Sequence, residues 1–190
     1  SAIPSRFLAI THGVSAVGKS HVALRLVEAL GAIRLRSDIE RKRLHGEQPE
    51  AQQGHLDAGI YSQQASDETY KRLHQLATTA LQAGFSVVID AAYLKQRQRQ
   101  DAWQAAETTG VPFLILDCQA PDAVIAQWLA QRQAEGLDPS DATMEVVHAQ
   151  QASREALNES ERLHSRRVDT QDAGSLDELV ASIRQHLPGL

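Results

Sequence analysis

The run Gly13-Val14-Ser15-Ala16-Val17-Gly18-Lys19-Ser20 satisfies the pattern G-x-x-x-x-G-K-[ST], and its flanks restrict the folds that can carry it. An apolar stretch, Phe7-Leu8-Ala9-Ile10, comes before it, and a helical pattern begins near Lys19. Such a loop binds phosphate when a buried strand delivers it to a sheet edge and a helix follows. The helix then aims its first N–H groups and its dipole at the anion. Gly13 and Gly18 allow backbone geometry and close approach that a Cβ obstructs. N–H groups from Ser15 to Ser20 form an anion nest for a β-phosphate, with Val14, Ala16 and Val17 completing the loop. Lys19 is a mobile charge for the β- and γ-phosphates, and the Ser20 hydroxyl is placed to ligate Mg²⁺. The expected cofactors are therefore ATP and Mg²⁺. The plainer alternative is a glycine turn that only caps a helix.

The rest of the chain alternates strand and helix signals. Strands are expected at 7–12, 32–36, 85–90, 112–118 and 166–169. Helices are expected near 19–30, 38–45, 61–83, 95–109, 121–135, 141–160 and 175–187. Phe85-Ser86-Val87-Val88-Ile89-Asp90 is nearly all apolar and rich in β-branched residues, as a strand buried on both faces should be. This alternation predicts an α/β P-loop NTPase fold: a five-stranded, mostly parallel sheet with helices on both faces and a short lid. One domain over 1–190 accommodates all of it. Two irregular stretches interrupt the rhythm, 46–60 and 134–141. They predict an acceptor-side loop at 46–60 and a lid region at 132–142.

The acceptor side is expected where the second strand ends, at Leu35-Arg36-Ser37-Asp38. A carboxylate at that tip faces the phosphate loop, and transfer to a hydroxyl needs such a base, so Asp38 is the candidate. The alternative is that Asp38 only caps the next helix. Arg41, three residues on, projects from the same helix face and can hold an anionic acceptor, with Arg36 close enough to join it. Asp90 closes the strongest strand and is expected at the metal, by holding a metal-bound water or by orienting Ser20. Tyr93 is a candidate to line the acceptor pocket, with core packing as the alternative. Arg132, just before the second irregular stretch, is placed for a lid arginine that neutralises the transferring phosphate. Arg167, in the last strand segment, is expected near the nucleotide base.

Composition narrows the partners. The net charge of −5 argues against an extended nucleic-acid partner. No run approaches the ~20 apolar residues a spanning helix needs, so no membrane partner is expected. The single cysteine, Cys118, excludes a disulfide within the chain and suits a reducing cytoplasm. Its only methionine is Met144 and it opens Ser1-Ala2-Ile3-Pro4, so it reads as a piece excised from a longer protein.

With these segments in view, the chain resembles the small P-loop kinases of the AAA-type ATP-binding class, related to polynucleotide kinase, zeta toxin, and gluconate and shikimate kinases. Gly13–Ser20, Leu35–Asp38 with Arg41, Gly84–Ala91 and Asp138–Ala142 carry the resemblance. The Asp38-x-x-Arg41 pair is similar to the base and substrate arginine of the polynucleotide and zeta-toxin kinases. Ala92 stands where the family usually has threonine. The resemblance also implies a covalently attached N-terminal domain, because this variant is often the C-terminal part of aminoglycoside-phosphotransferase-like fusions. The leading expectation is an ATP-dependent phosphotransferase that moves the γ-phosphoryl to a small-molecule hydroxyl. Two alternatives stand beside it: a kinase of nucleic-acid 5′-hydroxyls or nucleotide-sugars, and a nucleotide-binding regulatory module of a larger protein.

Overall fold

The computed structural model describes residues 5–46, 58–136 and 143–186. In chain order the elements are β1 (Leu8–His12), α1 (Lys19–Leu30), β2 (Ile33–Arg36), α2 (Ser37–His45), α3 (Ala58–Gln82), β3 (Val87–Asp90), α4 (Gln96–Thr109) and β4 (Phe113–Gln119). There follow α5 (Asp122–Glu135), α6 (Met144–Ser153), α7 (Glu159–Leu163), β5 (Ser165–Asp169) and α8 (Ala173–His186). The strands form one sheet in the order β2-β3-β1-β4-β5, and every pairing is parallel.

Parallel strands are buried on both faces, so successive residues must serve two cores. Ala9, Val88, Leu116 and Val168 pack against Val22 and Leu26 of α1, Ile125 of α5, Val147 of α6 and Leu179 of α8. Leu8, Ile10, Ile89 and Ile115 face the other way, onto Tyr70, Leu73 and Leu81 of α3 and Ala102 and Ala106 of α4. β1 is buried along its whole length. It is the middle strand, and its C-terminal edge carries the loop to α1. Among the described residues no helix is long and apolar enough to cross a membrane.

The expected helix over 141–160 is two helices. Arg154 takes an extended conformation (φ −62°, ψ 128°) and ends α6. Asn158 then caps α7 in a reciprocal capping box with Glu161. The chain between them is held against α4. Glu155 N donates to Leu94 O at 2.8 Å, and Arg99 Nη2 donates to Ala156 O at 3.2 Å. The expected helix at 61–83 reaches back to Ala58, three residues into the stretch read as irregular. Residues 47–57 of that stretch, and 137–142 of the expected lid, lie outside the described residues.

Arg99 and Glu161 form the most deeply buried ion pair of the described residues, with side chains 0% and 1% exposed. Removing one member leaves the other charged in a dry interior, which costs about 3–5 kcal/mol. Arg99→Ala should therefore lower the urea unfolding midpoint sharply. A midpoint equal to that of the parent protein would show that the pair does not hold the α6–α7 connection.

Candidate active site

The loop between β1 and α1 is closed in from outside. A Cβ on Gly13 would lie 2.8 Å from Val17 Cγ1 and 3.0 Å from the Cys118 carbonyl oxygen. Gly18 has φ 97°, and a Cβ there would lie 3.0 Å from Thr170 Cβ. Thr170 in turn donates its hydroxyl to Val17 O at 2.6 Å, and Gly13 N donates to Ala92 O at 3.1 Å. Ala16 is held at φ 61°, a left-handed conformation that costs an L-residue roughly 1–2 kcal/mol and recurs at ligand sites. Polar groups of the loop are partnered by the fold itself. Lys19 Nζ donates to Val14 O at 2.6 Å, and Ser15 N donates to Gln150 Oε1 at 2.7 Å. Burial lowers the Lys19 pKa. The Arg132 charge pushes it the same way, while the Asp90 carboxylate opposes both.

Asp90, the residue expected at the metal, is 7% exposed. Its Oδ2 accepts from Ser20 Oγ at 2.9 Å, the contact expected if Asp90 orients that hydroxyl. The same oxygen accepts from Arg34 Nε at 3.1 Å and Nη2 at 2.7 Å. Register explains the meeting. Arg34 is opposite Val88 and Arg36 opposite Asp90, so all four share the face toward α1. A glycine-bounded loop at a helix N-terminus, a half-buried lysine and a hydroxyl beside a carboxylate fit nucleotide phosphates with Mg²⁺, which takes oxygen ligands. Gly13–Ser20 would hold the phosphates; Ser20 and Asp90 would serve the metal.

Asp38 lies in the first turn of α2, with Arg36 at the N-cap position, so Asp38 is not itself the N-cap residue although its carboxylate takes a first-turn N–H. Its Oδ2 accepts from Arg36 Nη2 at 2.8 Å and its Oδ1 from Ile39 N at 2.9 Å. Its side chain is 58% exposed. β2 and β1 are separated by β3 alone, so the β2 tip and the phosphate loop share one sheet edge about 10 Å apart. Arg41 is exposed on α2, and its charge opposes the upward push of burial on the Tyr70 hydroxyl. Tyr93 does not line a pocket. It is fully buried at φ 48°, packs edge-on to Tyr70, and its hydroxyl meets His74 Nε2 at 3.0 Å. Arg132 is half-buried near the end of α5, within electrostatic reach of Lys19. Arg167 is exposed on β5, and the residue of that segment that touches the loop is Thr170.

Sequence reasoning missed four groups that shape this edge: Arg34, Gln150, Thr170 and His12. An arginine inside a strand that must be buried signals a carboxylate partner, so Arg34 had a readable sign. His12 ends β1 on the face away from α1. It is fully buried, with Nδ1 2.9 Å from Tyr93 O and Nε2 without a partner among the described residues. Burial first, then the Arg154 charge, lowers its pKa to about 4.

A family model described as an AAA domain matches residues 8–157. Curated relatives include uncharacterized proteins of Mycobacterium bovis and Mycobacterium tuberculosis, 30% identical over 148 residues. The match covers 75% of this chain but 28% of those proteins, so the chain spans little more than a quarter of their length. Among solved structures, a sugar kinase from Janibacter sp. superposes with TM-score 0.69 at 18% identity, over 98% of this chain and 97% of that one. The Mycobacterium tuberculosis APS kinase in complex with AMPPNP and APS gives 0.62 at 22%, over 96% and 97%. A gluconokinase from Sinorhizobium meliloti gives 0.60 at 17%, over 98% and 99%. At these identities the likeness is one of fold, the α/β P-loop NTPase fold.

His12 makes the stability of this edge depend on pH. Its folded pKa is depressed, so the unfolded chain binds the proton better once pH drops below the ordinary histidine value. Stability should be full above about pH 6.5 and fall toward pH 4, by up to about 3 kcal/mol for this group. His74, also lowered to about 4, adds to the same slope. Urea midpoints measured across this window should fall less steeply for His12→Asn, whose amide can still donate to Tyr93 O. Parallel slopes in the two proteins would contradict the assignment.

Proposed function

The chain belongs to the AAA-domain family, and from that premise we propose that it is a P-loop kinase moving the γ-phosphoryl group of ATP to a hydroxyl of a small-molecule acceptor. The observation that carries the reading is the pairing, on one sheet edge, of a closed phosphate loop whose Ser20 donates to Asp90 with a solvent-open Asp38 two strands away. That separation leaves room for a phosphoryl group and an acceptor between base and loop.

Bound ATP supplies the phosphoryl group, and Mg²⁺ screens its charge. Lys19 leaves Val14 O and turns its ammonium to the phosphates, while the Ser15–Ser20 N–H groups hold them in place. Asp90 keeps the Ser20 hydroxyl oriented. Asp38 takes the proton of the acceptor hydroxyl as the acceptor oxygen bonds to the γ-phosphorus and the bond from that phosphorus to the β-phosphate oxygen breaks, releasing ADP. Arg36 steadies the Asp38 carboxylate at 2.8 Å. Arg132 adds positive charge from the lid side. Residues 34–43 hold Arg34, Arg36, Arg41, Lys42 and Arg43 against Asp38 and Glu40, a local excess of cations in a chain of net charge −5. This favours an acceptor that carries a negative group, gripped by Arg41, and it keeps a nucleotide-sugar or 5′-hydroxyl nucleotide acceptor as the second reading.

Incubation with γ-labelled ATP and Mg²⁺ against sugars, sugar acids, nucleotide-sugars and short 5′-hydroxyl oligonucleotides tests this. Label should move to an anionic acceptor. Asp38→Asn should cut the transfer rate by about 10²–10⁴-fold while ATP affinity changes little. Tight ATP binding without transfer to any acceptor would replace the kinase reading with that of a nucleotide-binding regulatory module.

A further inference from the structure

Gln150 has no part in the mechanism above, and its place in the fold argues for one. Val147 anchors α6 by complete burial in the core on the α1 side. Gln151 Nε2 fastens the same helix to Asp122 Oδ1 at 3.0 Å, and Lys95 Nζ donates to Ser153 O at 3.0 Å. Gln150 lies three residues after Val147, so it projects from nearly the same face of a docked helix. Its Oε1 accepts the Ser15 N–H at 2.7 Å across 135 residues of sequence. That N–H opens the row of donors that forms the phosphate nest.

The fold partners two candidate phosphate-binding groups from within: Gln150 takes Ser15 N–H, and Val14 O takes the Lys19 ammonium. A carboxamide can do what a backbone carbonyl cannot, because one rotatable end carries both an acceptor and two donor hydrogens. A phosphate oxygen is the stronger, charge-assisted acceptor for Ser15 N–H. Once it displaces Oε1, a turn of the amide presents Nε2 to the same oxygen. α6 follows residues 137–142 and α5, with Arg132, precedes them. Ser15 is the member of the Ser15–Ser20 row farthest from α1, so Gln150 meets the loop at the end opposite the α1 amides that receive the β-phosphate. We propose that Gln150 is a γ-phosphate contact, its carboxamide holding the Ser15 end of the loop and donating to the terminal phosphate of bound ATP. The inference rests on the kinase reading for the nature of the ligand.

Calorimetric titration of the full chain with ADP and with ATP, both with Mg²⁺, tests it on the parent protein, Gln150→Ala and Gln150→Glu. Gln150→Ala should lower the ratio of ATP to ADP affinity by about tenfold, the worth of one charge-assisted hydrogen bond, with ADP binding unchanged or slightly tighter. Gln150→Glu keeps the acceptor for Ser15 N–H but loses the donor and adds like charge, so it should weaken ATP more than tenfold and more than it weakens ADP. A residue that only props the loop would shift both nucleotides together. An ATP-to-ADP ratio within twofold of the parent in both folded variants would overturn the proposal and leave the kinase reading standing. A parent protein that binds neither nucleotide would overturn both.

Discussion

The site depends on one constraint: the six residues Gly13–Gly18 must hold a fixed backbone course although nothing inside them is regular structure. Three neighbouring segments enforce this. The end of β3 receives Gly13 N through Ala92 O, the end of β4 blocks any side chain at 13 with the Cys118 carbonyl, and Thr170 after β5 clamps Val17 and crowds Gly18. The left-handed Ala16 is tolerated because these contacts over-determine the loop around it. Parallel pairing supplies the geometry. Strands running one way bring all their C-terminal ends to the same edge, so residues distant in sequence can close on one turn.

The two sheet faces then divide the work at that edge. On the α1 face, Ser20, Asp90, Arg34 and Arg36 form a chain of charge and hydroxyl whose register places them side by side. On the opposite face, His12, Asp117, Arg154 and the buried Arg99–Glu161 pair tie the segment after α6 to the α3/α4 layer. The first set is placed to meet ligand. The second fixes α6 and, with it, the side chain of Gln150 that reaches back to Ser15. α6 and the phosphate loop are thus joined through the core as well as through Gln150 and Ser15.

Much of this was readable in the residues. β1, β3 and β4 announce themselves because strands buried on both faces must be almost wholly apolar. Gly13–Ser20 and the strand-end Asp90 follow from local pattern alone. Failures came where pattern is silent or pairing is distant. The sequence around α6 and α7 is polar with weak periodicity, so one helix was expected, although the Asn158-x-x-Glu161 spacing of a capping box was there to be read. Tyr93 follows a strand that ends in a site residue, but a positive φ turns it under the sheet edge and into the aromatic core with Tyr70 and His74. Arg34, Gln150 and Thr170 meet partners 56, 135 and 153 residues away, and only the completed sheet sets those distances.

Calorimetric titration with Mg²⁺ and ATP of the parent chain and of Lys19→Ala addresses the central claim most directly. The account predicts saturable binding by the parent and a loss of about 100-fold or more in the variant, because the one mobile cation of the nest is gone. The variant should keep its thermal stability, since a half-buried ammonium whose pKa is depressed gives the fold little. Equal ATP affinity in the two proteins would contradict the claim that this loop is where the nucleotide binds.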